Sequence, residues 1–124
     1  MKLLLDTQVV LWAFFDLPFL EERQRALIAH RDNQCWVSMA SPWEIEIKRG
    51  LGRLDAPENL DTVVRDFGWH WLQIELPHTR MVGQLPLLHR DPFDRMLVAQ
   101  ATVEGMALMT ADRRLAAYGV PVLW

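Results

Sequence analysis

The sequence predicts an α/β protein with a parallel sheet, and two observations carry that expectation. Leu3-Leu4-Leu5 and Ala107-Leu108-Met109 are apolar at consecutive positions, as strands buried on both faces of a parallel sheet are. Between such runs lie segments with helical spacing of apolar residues, so strands and helices alternate and right-handed crossovers join them. A length of 124 residues fits one domain, residues 1–124, able to bury about 68% of its unfolded surface.

Taken in order, Lys2 to Leu5 forms a first strand ended by Asp6. Asp6-Thr7 caps a helical segment with Val9, Val10, Trp12 and Ala13, which Pro18 interrupts. Glu21 to His30 reads as an amphipathic helix with Leu27 on its inner side, and Cys35 to Ser38 as a short strand. Ser41 to Lys48 is helical and ends at Gly50 and Gly52; Asp55 to Pro57 is a loop, and Leu60 to Phe67 another helix. Trp71 to Leu76 reads as a strand, with a short helix near Thr79 to Gln84 after Pro77 and a loop at Leu85 to Leu88. Asp91 then stands at the N-cap of a helix whose first position is Pro92, where a fixed φ and a missing N–H do no harm. Phe93, Leu97 and Ala101 recur at i, i+4, i+8 behind it, the stripe of a helix packed on a sheet. Gly105 marks a turn, Ala107 to Thr110 a buried strand, Asp112 the cap of a short helix to Tyr118, and Val120 to Leu123 the last strand.

Composition excludes several classes. The net charge of −3 gives no basic field, so a nucleic-acid partner must be held by local charge or by metal ions. The single Cys35 excludes an internal disulfide, and His30, His70, His78 and His89 show no zinc-site spacing. No run approaches the ~18 apolar residues of a membrane helix, and the apolar start contains Asp6 and lacks a cleavage site, so a cytoplasmic protein is expected. Six tryptophans are many for this length and suggest an interface.

Four acids stand where such a sheet places its site, beyond the carboxyl ends of the strands. Asp6 ends the first strand, Glu44 and Asp112 follow two others, and Asp94 lies in the first turn of the helix beginning at Pro92. Ser41-Pro42-Trp43-Glu44 repeats the grammar of Asp91-Pro92-Phe93-Asp94: a capping residue, proline, an aromatic, an acid. Several acids here also have a plain structural reading. Ser41 and Glu44 make a capping box, and Asp91 and Asp112 are good N-caps. Asp6 resists such a reading, because an uncompensated acid at the end of a buried strand is costly. If the four converge, their repulsion calls for protonation or a cation. Oxygen ligands alone select a hard ion, Mg²⁺ or Mn²⁺, which suits phosphoryl chemistry. Lys48, Arg49, Arg90, Arg95 and Arg113 flank the acids and could hold a phosphodiester backbone; the pair Glu44–Lys48 has i,i+4 spacing.

Leu3-Leu4-Leu5-Asp6-Thr7, Ser41-Pro42-Trp43-Glu44-Ile45, His89-Arg90-Asp91-Pro92-Phe93-Asp94-Arg95 and Thr110-Ala111-Asp112 together resemble a PIN-domain nuclease, most nearly the VapC-type toxins of bacterial toxin–antitoxin pairs. The resemblance spans essentially the whole chain, with motifs specific in combination. It implies a PIN-like α/β/α sandwich with a mostly parallel central sheet. It further implies a Mg²⁺-dependent endoribonuclease, usually dimeric and inhibited by a small antitoxin. The family's acids carry over to Asp6, Glu44, Asp94 and Asp112, with Asp6 and Asp94 as metal ligands. Asp91, Ser41 and Thr110 are auxiliary or capping, and Lys48, Arg90, Arg95 and Arg113 are candidates for RNA contact. Gln8 departs from the His often found after the Asp-Thr pair, which bears on substrate contacts and leaves the acids intact.

Other classes fit less well. A haloacid-dehalogenase-like phosphatase needs a second Asp two positions after the first, where this chain has Gln8. A receiver module wants paired acids after its first strand and a lysine after its last, and this chain ends Val122-Leu123-Trp124. A non-catalytic, acid-lined binding module would not need all four family acids.

Overall fold

The computed structural model describes all 124 residues and places five strands in one sheet. They are β1 (Lys2–Leu5), β2 (Gln34–Ser38), β3 (His70–Leu72), β4 (Ala107–Met109) and β5 (Val122–Leu123), in the order β3-β2-β1-β4-β5. Every pairing is parallel. β1 is central, with Leu4 opposite Trp36 of β2 and Leu108 of β4.

Six α-helices connect the strands: α1 (Thr7–Phe14), α2 (Glu22–Ala29), α3 (Ala40–Gly50), α4 (Leu60–Asp66), α5 (Leu76–Gln84) and α6 (Pro92–Glu104). A 3₁₀ turn over Arg113–Tyr118 stands where a short helix was expected. Alternation of side chains along β1 divides the core in two. Leu3 and Leu5 pack with Val9 and Val10 of α1, Ile45 of α3 and Val63 and Val64 of α4. Leu4 packs on the opposite face with Leu97, Val98 and Ala101 of α6 and Leu115 of the 3₁₀ turn. Helices therefore cover both faces, which makes the α/β/α sandwich. No helix is long and apolar enough to cross a membrane.

Three of the boundaries that depart from the sequence expectation do so because of capping chemistry. β3 stops at Leu72, short of the expected Leu76, because Glu75 caps α5. The Glu75 N–H donates to His78 Nδ1 at 3.0 Å, and Pro77 falls in the first turn. α2 begins one residue after Glu21, which is its N-cap in a reciprocal box with Gln24. α3 begins at Ala40, so Ser41 is not its N-cap; the Ala40 N–H donates to Ser38 Oγ at 3.0 Å. By contrast, α6 opens at Pro92 behind Asp91 and closes at Gly105, whose φ of 66° is a left-handed C-cap that glycine adopts without strain.

The strand order reverses beside β1, since β2 and β3 are added on one side and β4 and β5 on the other. Such a switch point opens a crevice beyond the strand ends. Leu108, fully buried in β4 next to that point, should be expensive to truncate. Leu108→Ala is expected to cost about 2–5 kcal/mol, whereas Leu87→Ala, at a side chain 91% exposed, should stay within about 0.5 kcal/mol. Urea midpoints of the two variants check this contrast.

Candidate metal centre

A cleft of about 220 Å³ lies at the switch point, lined by Asp6, Glu44, Asp91, Asp94 and Asp112 with Lys48. The structure thus brings the four predicted acids together and adds Asp91 beside them. Their local bonds separate acids with a folding task from acids without one.

Asp6 holds the N-cap position of α1 with extended backbone, yet its side chain closes no cap hydrogen bond. The capping expected of it is absent. Instead, Thr110 Oγ1 donates to Asp6 Oδ2 at 2.7 Å, and the Asp6 N–H donates to the Met109 carbonyl at 3.0 Å. Burial pushes the Asp6 pKa up; the Thr110 hydroxyl and Gln8 amide oppose this, the Glu44 charge adds to it, and the net shift is upward.

Asp94 lies in the first turn of α6 with its side chain 18% exposed. Its nearest partner is His89 Nε2 at 3.6 Å, too long for a hydrogen bond. Burial first, then the charges of Asp6 and Asp91, raise its pKa to about 7 despite the opposing His89.

Glu44 is buried and accepts from Lys48 Nζ at 2.6 Å, the i,i+4 pair anticipated from spacing. It plays no part in a capping box, because Ser41 lies inside α3. Ser41 is fully buried and shares a hydrogen bond with Thr7 Oγ1 at 2.8 Å, which ties α3 to α1 beside Asp6. Burial disfavours the charge on Lys48, but its hydrogen bond to Glu44 and the charges of Glu44, Asp91 and Asp94 leave its pKa raised.

Asp91 and Asp112 are caps. Asp91 Oδ1 accepts from the N–H groups of Phe93 at 2.8 Å and Asp94 at 3.2 Å. Asp112 Oδ1 accepts from the Arg114 N–H at 3.1 Å, and the Arg114 guanidinium clasps both carboxylate oxygens, from Nε at 2.9 Å and Nη2 at 2.8 Å. The Arg114 hydrogen bond, prevailing over burial and helped by His89, holds Asp112 down at about 2. Thr110 also accepts, at Oγ1, from the Asp112 N–H at 3.1 Å, so it joins two of the acids.

The basic residues divide in the same way. Arg95 does not face the cleft, because its guanidinium donates to the carbonyls of Pro86 at 2.8 Å and Val82 at 3.1 Å and to Tyr118 Oη at 3.1 Å. Its expected RNA contact gives way to a structural role pinning the loop after α5. Arg49 donates to the carbonyls of Ala56 and Pro57. Arg90 and Arg113 are exposed and keep their side chains free. Arg114, which sequence reasoning passed over for its neighbour, is the arginine at the acids. His89 was also missed: Nε2 lies 3.4 Å from Asp112 Oδ2, and Nδ1 accepts from the Asp91 N–H at 3.1 Å. Its position two residues before a helix cap was the available signal. The repeated grammar also has a spatial meaning, because its aromatics, Trp43 and Phe93, meet edge to face with centroids 5.1 Å apart.

A parallel α/β/α sandwich with an acid-lined crevice at its switch point defines the class, and family comparison gives it a name. The PIN domain family model matches residues 3–121, and the chain belongs to that family. The phosphatase and receiver readings fall with that assignment. No curated protein matches the chain significantly.

Solved structures share the fold across nearly the whole chain. VapBC2 from Rickettsia felis, bound to a DNA fragment from its promoter, is 17% identical with a TM-score of 0.71, covering 99% of this chain and 98% of that one. DNA-bound VapBC from Salmonella typhimurium is 21% identical with a TM-score of 0.67, covering 99% and 97%. A toxin-antitoxin complex from Klebsiella pneumoniae is 19% identical with a TM-score of 0.63, covering 98% and 95%.

The crowding of acids carries a pH signature. Asp94 titrates at about 7 in the folded chain, against 3.8 ordinarily. Between those values the native state holds a proton that the unfolded state has released, so stability falls as pH rises. The contribution is full below about pH 4 and lost above about pH 7, at about 1.4 kcal/mol per unit of pKa difference. In metal-free protein, the urea stability of wild type relative to Asp94→Asn should therefore fall across that window. Equal pH profiles for the two would show that Asp94 carries no such strain.

Proposed function

We propose that the chain is a Mg²⁺-dependent endoribonuclease, the cytoplasmic toxin of a toxin–antitoxin pair. The observation that carries this reading is the balance of charge in the cleft: five carboxylates line it against one lining cation, Lys48. Asp6 and Asp94 have neither a cap to make nor a cationic side chain in contact. The donors are oxygens, matching a hard divalent ion, Mg²⁺ with Mn²⁺ as a substitute. Asp6 and Asp94 would hold it.

When bound, such an ion lowers the pKa of an attacking water and offsets charge on the phosphate and leaving oxygen. The protein supplies the arrangement. Thr110 fixes the Asp6 carboxylate, and Asp91 aligns the first turn of α6 that presents Asp94. Glu44 lines the cleft with its charge shared by Lys48, and Asp112 lines it in the clasp of Arg114. Lys48 and Arg114, in contact with acids of the cleft, and the exposed Arg90 and Arg113, next in sequence to Asp91 and Asp112, are the cations that would hold a phosphodiester backbone. The fold shared with VapBC and a toxin-antitoxin complex supports a small antitoxin partner, and the DNA in two of those structures supports DNA binding by the assembled complex. Homodimerisation goes with this reading and is measurable by light scattering.

Cleavage of tRNA and rRNA by the pure protein, with Mg²⁺ and with EDTA, tests the assignment against phosphate release from a small phosphoester. Asp6→Asn and Asp94→Asn should each abolish cleavage while leaving the circular dichroism spectrum unchanged; either variant cleaving near the wild-type rate would make that acid structural. Glu44→Gln should lower cleavage at least about tenfold at limiting Mg²⁺, since an amide carries no net charge. Ser41→Ala removes the bond to Thr7 and should cost on the order of 1 kcal/mol while largely preserving activity. Reversed effects of these two changes would exchange the roles assigned to the residues.

A further inference from the structure

We propose that His89 is a positioning residue: a hydrogen-bond donor fixed in one tautomer that orients Asp112 beside Asp94 and keeps nitrogen out of the cation's ligand set. This rests on reading the acid cleft as a cation site.

By distance alone the opposite role suggests itself. One nitrogen of His89 and one oxygen each of Asp94 and Asp112 lie within 4.8 Å of one another, a spacing at which three ligands could grip a transition metal. Hydrogen-bond roles decide against it. The Asp91 N–H donates to His89 Nδ1 at 3.1 Å, so the lone pair on that nitrogen is in use. A neutral imidazole then carries its single proton on Nε2. Nε2 lies 3.4 Å from Asp112 Oδ2 and 3.6 Å from Asp94 Oδ2, facing two acceptors.

Arg114 Nη2 is also 3.3 Å from Nε2. A ring accepting from both Asp91 and Arg114 would have no proton left. Arg114 Nη2 already donates to Asp112 Oδ2 at 2.8 Å, so it and His89 converge as two donors on one carboxylate. The His89 ring is 14% exposed, which limits competition from water.

The consequence is a division of labour within the cleft. Asp91 spends its carboxylate on capping α6 and its amide on setting the tautomer of His89. His89 in turn tethers the turn that starts at Asp112 to the helix that carries Asp94. With both imidazole nitrogens committed, only oxygens remain for a cation, which selects a hard ion over zinc. Residues that orient ligands in this way typically change metal affinity 10–100-fold when removed.

Long-range ¹⁵N–¹H correlation spectra of metal-free protein test the tautomer directly. Protonated Nε2 and bare Nδ1 are expected, unchanged when Mg²⁺ is added to saturation. His89→Ala should raise the Mg²⁺ concentration needed for half the maximal thermal stabilisation by about tenfold or more. His89→Gln, whose amide can accept through Oε1 and donate through Nε2, should recover most of it. A proton on Nδ1, loss of the Nε2 proton on adding Mg²⁺, or a wild-type Mg²⁺ requirement in His89→Ala would each overturn the proposal. Wild-type protein that binds Mg²⁺ with these properties but cleaves no RNA would sink the nuclease reading and leave His89 in its role.

Discussion

The hydrogen bond from Thr110 to Asp6 joins residues 104 positions apart, and the arrangement of the acid edge depends on it. Leu3, Leu4 and Leu5 are fully excluded from water, which commits β1 to the middle of the sheet. A central strand must release its chain at the sheet edge, and the first residue beyond is Asp6. Neighbouring β4 ends at the same level, so Thr110 arrives beside it. The hydroxyl gives the half-buried carboxylate one partner without giving it a counter-charge. Asp6 is thereby oriented and still electrostatically unsatisfied.

The surrounding acids differ in what they contribute to folding. Asp91 and Asp112 each accept backbone N–H groups at the start of a helical segment, and the first-turn amides stabilise negative charge there. Glu44 is matched by Lys48. Capping or pairing accounts for these three on structural grounds alone. Asp6 and Asp94 have no such account, and they are the two acids in the cleft whose pKa values are driven upward. Burial and repulsion without compensation mark sites with a task other than stability.

Much of this was legible in the sequence, for identifiable reasons. Consecutive apolar residues flanked by helical spacing were enough for a parallel α/β sandwich, and Asp91-Pro92 together with Gly105 set the limits of α6 closely. The strand ends pointed to Asp6 and Asp112, and the repeated cap-proline-aromatic-acid pattern to Glu44 and Asp94. Side-chain direction was less readable. Ser41 looks like an N-cap in S-x-x-E, yet Ser38 supplies the hydroxyl and α3 starts earlier. Arg95 looked as available as Arg90 and Arg113, but it is drawn away by the carbonyls of Val82 and Pro86, which no local pattern encodes. The part of His89 depends on an amide two residues on and a carboxylate 23 residues away, and so appears only once the chain has folded.

The placement of cations completes the argument. Lys48 and Arg114 are each in contact with one acid of the cleft, Glu44 or Asp112. Neither contacts Asp6 or Asp94. Had either reached the centre, the acid pair would be neutralised from within and the fold would be easier to hold together. Instead, the end of β1 and the start of α6 present two carboxylates, and burial, followed by the charges of Asp6 and Asp91, raises the Asp94 pKa to about 7. Near neutral pH, such a pair is relieved by taking up a proton or a cation. Oxygen donors of this kind suit a hard divalent ion, as the proposed function requires. The same uncompensated charge that weakens the fold is what the proposed chemistry would draw on to hold its ion.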